Sequence, residues 1–134
     1  MRPAVEPLTE FERAVLEKLL AGDHPVLAVL RAQAQAARLA SREYTGVGFY
    51  LSFDVPPEAP ALLTQNFHFG DVNAAVDGLQ HGAGFVVFVG GGRLEMLEGY
   101  SYDEPWPKEI HGFKLTYQRE PRELSLPGSS TTTT

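Results

Sequence analysis

The chain contains 134 residues with no cysteine and a net charge of −6. This length suits one domain with a sizeable core, and the lack of cysteine excludes disulfides, thiolate zinc sites and cysteine nucleophiles. An acidic surface repels phosphate backbones, so nucleic acid is excluded as the default partner. No apolar run approaches the roughly 20 residues that span a bilayer, and the N-terminus lacks a signal peptide's apolar core. We therefore expect a cytoplasmic protein with no membrane partner.

The first predicted element is an amphipathic helix that begins with a capping box. The Thr9 side chain can accept from a backbone N–H three residues on while Glu12 reaches back to the cap. Gly22 then supplies a stop, because glycine readily adopts the left-handed conformation that ends a helix. We predict this helix from Thr9 to about residue 21.

A second helix is predicted to open at Pro25, because proline loses nothing at the first helical position. At about 100° per residue, four polar side chains share a narrow arc, which extends the predicted helix to about residue 41. These side chains are Arg31, Gln35, Arg38 and Arg42. Gln33 falls on the opposite side. If it is buried it needs hydrogen-bond partners, since an unpaired amide costs on the order of 1 to 3 kcal/mol.

Alternation of apolar and polar residues predicts strands in the rest of the chain. In residues 47–55 the side chains alternate so that one face is apolar and the other polar, as in a half-exposed strand. Residues 66–69 and 72–76 alternate around Gly70, and we favour one strand bent at that glycine over two short strands. Residues 113–117 alternate as the last strand.

A β-hairpin is predicted at the centre of the sheet. Residues 85–89 form an unbroken apolar run, Gly90 to Gly92 can supply a tight turn, and apolar residues resume at Leu94. A break in the alternation predicts a bulge near Met96. Because the first strand has no polar face, we expect both of its faces to be covered.

These elements predict an α+β fold. Two N-terminal helices are expected to pack on one face of a four- or five-stranded antiparallel meander, because consecutive strands with short connections pair with each other. Residues 1–120 form a single predicted domain. Residues 121–134 are predicted to be a flexible tail, since their composition buries little apolar area.

Two groups of residues offer weak chemical signals. The loop from His81 to Gly84 is rich in glycine but leads into a strand and carries no lysine, so turn geometry explains it better than phosphate binding. The histidines have no metal-ligand spacing and predict no metal site; they are His24, His68, His81 and His111. Of these, His81 is the most suggestive, because it lies among small residues where an imidazole is reachable.

A dense acidic and aromatic cluster follows the hairpin and is the strongest candidate. Its members are Glu95, Glu98, Tyr100, Tyr102, Asp103, Glu104, Trp106 and Glu109. Aromatic rings with hydroxyl or indole donors beside carboxylates suit a surface that holds a basic protein or a small polar ligand. Trp106 lies between two prolines, which presents it rigidly, although it could equally fold back onto the sheet.

The stretch HGAGFVVFVGGGRLEMLEGYSYDEPWP resembles a family of small uncharacterised bacterial proteins. The resemblance covers mainly residues 45–106. It implies a compact α+β domain and transfers no catalytic residue or cofactor.

The leading hypothesis is a non-catalytic protein-binding module, an inhibitor or immunity-type partner of a protein with a basic surface. The residues assigned to binding are Tyr44, His81, Glu98, Tyr100, Tyr102, Asp103, Glu104 and Trp106. One alternative is a small hydrolase, which requires His81 and the carboxylate of Glu98 or Asp103 to line a common cleft. Another is a structural homo-oligomer, for example a homodimer, if one face of the sheet is left uncovered by the helices. No cofactor is predicted.

Overall fold

A computed structural model describes residues 6–63 and 66–126, and within these ranges the chain forms two helices and seven strands. The elements are α1 (Glu10–Leu19), α2 (Pro25–Ala36), β1 (Arg38–Tyr44), β2 (Gly48–Asp54), β3 (Phe67–Phe69), β4 (Val72–Val76), β5 (Ala83–Gly90), β6 (Arg93–Ser101) and β7 (Phe113–Tyr117). The predicted α+β class and antiparallel sheet are confirmed, but the sheet has more than the four or five strands expected. Neither described helix is both long and apolar enough to cross a bilayer.

Helix α1 begins as predicted. The hydroxyl of Thr9 accepts from the backbone N–H of Glu12 at 3.1 Å, and the Glu12 carboxylate accepts from the N–H of Thr9 at 2.9 Å. Both arms of the capping box are therefore present, and they satisfy two backbone donors that the first turn leaves unpaired. The apolar stripe is buried and consists of Phe11, Val15, Leu16 and Leu19.

Helix α2 is shorter than predicted. It ends at Ala36, and Arg38 and Arg42 lie on strand β1 instead of extending a helical stripe. Strand β1 pairs with β2, and Arg42 forms an ion pair of 2.6 Å with Glu12 across the fold. These long-range contacts outweigh the helical propensity of residues 37–42, which is worth only a few tenths of a kcal/mol per residue.

The sheet is not the expected meander. Its order is β1-β2-β6-β5-β4-β7, so β2 pairs with β6 rather than with the next strand in the chain. Strand β3 pairs with one end of β5 and β4 with the other end, so the favoured single bent strand is two short strands along one edge of β5. Gly70 lies in the break between them, where a Cβ atom would collide with the carbonyl oxygen of Phe85.

The central strand β5 has one buried face and one half-exposed face. Phe85, Val87 and Val89 are at most 3% exposed, whereas Val86 and Phe88 are half-exposed. Its position between β6 and β4 agrees with the prediction, but the expectation that both faces are covered is wrong. We call the side of Phe85 the inner face of the sheet and the side of Val86 the outer face.

Two strands contain an extra residue. Phe88 pairs with Met96 and Val89 with Leu94, which leaves Glu95 as a bulge beside Met96, as predicted. The edge strand β1 shifts register between Leu39 and Ser41. Each bulge twists its strand locally and redirects the neighbouring side chains.

Helix α1 contacts the inner face of the sheet, and helix α2 contacts the turn between β5 and β6. The Phe11 ring of α1 lies 5.9 Å from the Phe85 ring, between centroids. The Gln33 side chain of α2 is fully buried and donates to the carbonyl of Gly92 at 3.0 Å. The partners expected for a buried Gln33 are therefore present.

Residues 121–126 follow the predicted domain boundary and contact the folded body. Arg122 forms an ion pair of 2.7 Å with Asp71, and the side chain of Leu126 is buried. The remainder of the predicted tail, residues 127–134, lies outside the described residues, as do residues 1–5.

Candidate functional site

The outer face of the sheet carries a patch of half-exposed side chains. We define the outer patch as Tyr50, Val86, Phe88, Met96, Glu98 and Tyr100. Paired residues of an antiparallel sheet share a face, and the register joins Tyr50 and Val86 to Glu98, and Phe88 to Met96. Within residues 6–63 and 66–126, no side chain of the patch belongs to the hydrophobic core or to the apolar residues packed against it. The patch therefore presents apolar and aromatic surface outward.

Carboxylates surround this apolar surface. Glu43 pairs in register with Tyr50, and the bulge residue Glu95 lies over Gly90 on the same side. Among the described residues, neither of these carboxylates nor that of Glu98 belongs to an ion pair. On the same face, Arg93 pairs with Gly90 and donates to the carbonyls of Pro56 and Pro57, while Lys114 lies at the far edge, on β7. In the half of the outer face formed by β1, β2, β5 and β6, the carboxylates of Glu43, Asp54, Glu95 and Glu98 outnumber the cations of Arg38 and Arg93.

Glu98 interacts with the tyrosine beside it. Its negative charge, together with a hydrogen bond between the two side chains, raises the pKa of Tyr50 above the ordinary value. In this pair the phenol hydroxyl is the donor and the Glu98 carboxylate is the acceptor. The two side chains thus form a polar pair in the middle of the patch.

Tyr100 lies flat at one end of the patch because its cross-strand neighbour is a glycine. A Cβ atom on Gly84 would come within 2.6 Å of the Tyr100 ring. The Tyr102 ring meets Tyr100 edge to face, with centroids 5.7 Å apart. Burial, followed by the neighbouring Tyr102, raises the pKa of Tyr100. Gly84 therefore leaves room for the Tyr100 ring, and Tyr102 extends the aromatic surface beyond the end of β6.

Glu104 and His81 meet in the loops beside the sheet. The Glu104 carboxylate accepts from the backbone N–H groups of Gln80 and His81, both at 2.7 Å. These hydrogen bonds lower the pKa of Glu104, because they stabilise its charged form. Glu104 thus fixes the loop that carries His81. Asp103 is exposed in the adjacent turn.

Tyr44 and Trp106 lie elsewhere, at a cavity of about 410 Å³ beside the start of α1. Trp106 packs against two core rings, with its centroid 5.4 Å from that of Phe49 and 6.3 Å from that of Phe11. Tyr44 is 64% exposed at the same cavity. The structure therefore divides the eight predicted binding residues among three places, and Glu98, Tyr100 and Tyr102 are those that meet on the outer face.

The sequence interpretation missed four members of the outer patch. Tyr50 and Met96 were recognised as strand residues, and Val86 and Phe88 were expected to be covered. The available signal was the alternation of strand β2, which places Tyr50 opposite the buried Phe49. That alternation did not reveal that β5 and β6 would expose their side chains on the same face as Tyr50.

Residues 6–63 and 66–126 contain no group of three or more histidine, aspartate or glutamate side chains placed to hold a metal ion. The hydrogen bond that links His81 to Glu104 uses the backbone of His81 and leaves its imidazole outside this contact.

No protein-family model, curated protein or solved structure matches the chain.

Proposed function

We propose that this chain is a non-catalytic, cytoplasmic protein-binding module of the inhibitor or immunity type. Its outer patch, together with Tyr102, would hold a protein partner. In this proposal the two helices cover the inner face together and leave the outer face free for the partner.

The observation that carries the proposal is the half-exposed apolar and aromatic surface of the outer patch. Protein interfaces are enriched in tyrosine and methionine and in other aromatic side chains at their centre. Tyr50, Tyr100 and Tyr102 supply this chemistry, and the strands that hold Tyr50 and Tyr100 are each paired on both sides within the sheet. A pre-ordered surface loses little conformational freedom on binding, which favours affinity.

The charge of the surface selects the partner. Glu43, Glu95 and Glu98 have no described ion-pair partner, so a protein that presents lysine or arginine would provide one. Complementary charges also steer the encounter and raise the association rate at low salt. We therefore propose a partner with a basic binding surface.

The test compares capture by the parent protein with capture by two charge reversals. Glu98→Lys changes the centre of the patch, whereas Glu109→Lys makes the same change in net charge at a side chain that is 76% exposed in the loop after β6. The measurement is the recovery of proteins from native cytosol, followed by titration of the recovered protein. We expect Glu98→Lys to weaken binding by at least about tenfold and Glu109→Lys to leave it nearly unchanged.

Four outcomes would contradict the proposal. The first is that the parent captures no protein, and the second is equal loss of binding in the two variants. The third is a captured protein whose binding surface is acidic. The fourth is that the parent forms a dimer through this face, since the apolar patch would then be the contact between two copies of the chain. Light scattering of the parent and of Tyr100→Ala measures that last outcome.

A further inference from the structure

The geometry points to a cleft at one end of the outer face that accepts an arginine side chain of the partner. This inference rests on the proposed function and names the anchor that the partner would present. We call the site the Phe88 cleft. It is an open groove of about 680 Å³, and its lining includes Asn66, His68, Phe88, Gly90 and Glu95.

The floor of the cleft is an aromatic pair. The rings of His68 and Phe88 pair across strands β3 and β5 and meet edge to face, with centroids 5.7 Å apart. Phe88 is half-exposed, so part of its ring is available to a ligand. A guanidinium group stacks favourably on such a ring.

At the end of the cleft, the carboxylate of Glu95 lies over the backbone of Gly90, which has no side chain. Glu95 is the bulge residue of β6, and the bulge directs its side chain across β5. Its carboxylate lies where the side chain of residue 90 would be, since a Cβ on Gly90 would come within 2.6 Å of Glu95 Oε2. Within residues 6–63 and 66–126 this carboxylate has no ion-pair partner. Both of its oxygens remain available to a ligand.

The wall opposite Glu95 is fixed by the hairpin turn. The side-chain oxygen of Asn66 accepts from the backbone N–H of Gly91 at 2.8 Å, which joins the start of β3 to the turn between β5 and β6. The cleft is therefore formed before any ligand binds.

Arginine fits this arrangement better than lysine. Its planar guanidinium can lie on the Phe88 ring and donate two parallel hydrogen bonds to the Glu95 carboxylate, whereas a lysine ammonium offers a point charge without a flat face. An uncharged side chain of the same shape would keep the flat face and the N–H donors but lose the positive charge, which strengthens both the stacking and the hydrogen bonds to the carboxylate.

Three small probes test the assignment on the full-length protein. They are Nα-acetyl-arginine amide, Nα-acetyl-citrulline amide, which has the shape of arginine without its charge, and Nα-acetyl-lysine amide. The measurement is the shift of the backbone amide resonances of His68, Phe88 and Glu95 as each probe is added. We expect saturable shifts with the arginine probe and affinities at least about fivefold weaker for the other two.

Two isosteric variants separate the cleft from general charge effects. Glu95→Gln should weaken the arginine probe by about tenfold, whereas Glu109→Gln should leave it unchanged. Equal affinity of the arginine and citrulline probes, equal or stronger affinity of the lysine probe, or no effect of Glu95→Gln would each overturn the inference. A captured partner that is lost in Glu98→Lys but retained in Glu95→Gln would overturn this inference alone, whereas failure of the parent to capture any partner overturns the proposed function.

Discussion

Gln33 connects helix α2 to the hairpin of β5 and β6. Its amide Nε2 donates to the carbonyls of Pro60 and Gly92, and its Oε1 accepts from the backbone N–H of Leu94 at 2.6 Å. A buried amide with three partners is favourable only when all of them are present, because each group left unpaired costs free energy. Gln33 therefore fixes where α2 lies along the sheet.

Replacing Gln33 with leucine should destabilise the protein. The substitution leaves the Leu94 N–H without its acceptor inside the fold, so we expect a loss of about 2 to 3 kcal/mol in the free energy of unfolding. The measurement is denaturant unfolding. Gln35→Leu, at an exposed position of the same helix, should change the stability by less than about 0.5 kcal/mol. Equal stability of the two variants would contradict the role of Gln33.

The chemistry of single residues could be read only in part from the sequence. The capping box of Thr9 and Glu12 was predictable because its two partners are three residues apart. The ion pair of Glu12 with Arg42 was not, since it spans 30 residues and depends on the path of β1. The same limit applies to the binding residues, because neighbours in sequence such as Tyr102 and Trp106 point to different parts of the fold.

At the scale of elements, local patterns identified the helices and most strands but not all of their ends. Residues 37–42 have a helical composition, and only the pairing of β1 with β2 makes them a strand. The break between β3 and β4 likewise depends on the close approach of Gly70 to the backbone of β5. Contacts between distant segments decide both cases.

The segment after β7 is fastened to helix α1 through Arg122. Its guanidinium binds Asp71 and donates to the carbonyl of Leu19, the last residue of α1, and to that of Ala21, two residues beyond the helix. It also stacks on the Tyr117 ring, 4.5 Å from the centroid. One side chain therefore satisfies a helix end and a partly buried carboxylate at once.

Arg122→Ala should destabilise the protein by about 2 to 4 kcal/mol, because it leaves Asp71 uncompensated where 12% of that side chain is exposed. Arg119→Ala is the matched control, since its ion pair with Glu123 joins side chains that are 73% and 70% exposed. Thermal unfolding of the two variants measures the difference. If both variants unfold at the same temperature as the parent, the segment after β7 contributes nothing to the stability of the fold.

For the whole molecule, the class of fold was predictable and the order of the strands was not. Two amphipathic helices followed by alternating segments predict an α+β domain from local periodicity alone. The pairing of β2 with β6 joins residues about fifty positions apart in the chain, a distance over which periodicity carries no information. The uncovered outer face is a product of that order, so the candidate site could not be assembled from the sequence.

Trp106 joins three parts of the molecule, because its ring packs against Phe11 of α1 and Phe49 of β2 while its backbone N–H donates to Gly46 at 2.8 Å. We therefore expect Trp106→Ala to lower the free energy of unfolding by about 2 to 3 kcal/mol, less than for a fully buried ring. Tyr102→Ala, at a side chain that is 46% exposed, should cost less than about 0.5 kcal/mol. Denaturant unfolding of both variants makes the comparison. If the Trp106→Ala protein is as stable as the parent, Trp106 does not stabilise the core and is again a candidate binding residue.

The bulge between Leu39 and Ser41 bears on how a partner can approach. An exposed edge strand offers free backbone groups on which another chain can add itself as a further strand, the route by which many sheet proteins polymerise. A bulge interrupts that template, and charged side chains such as Arg38 and Glu43 further disfavour the addition of a strand. At the β1 edge, recognition should therefore occur through side chains and not by addition of a further strand.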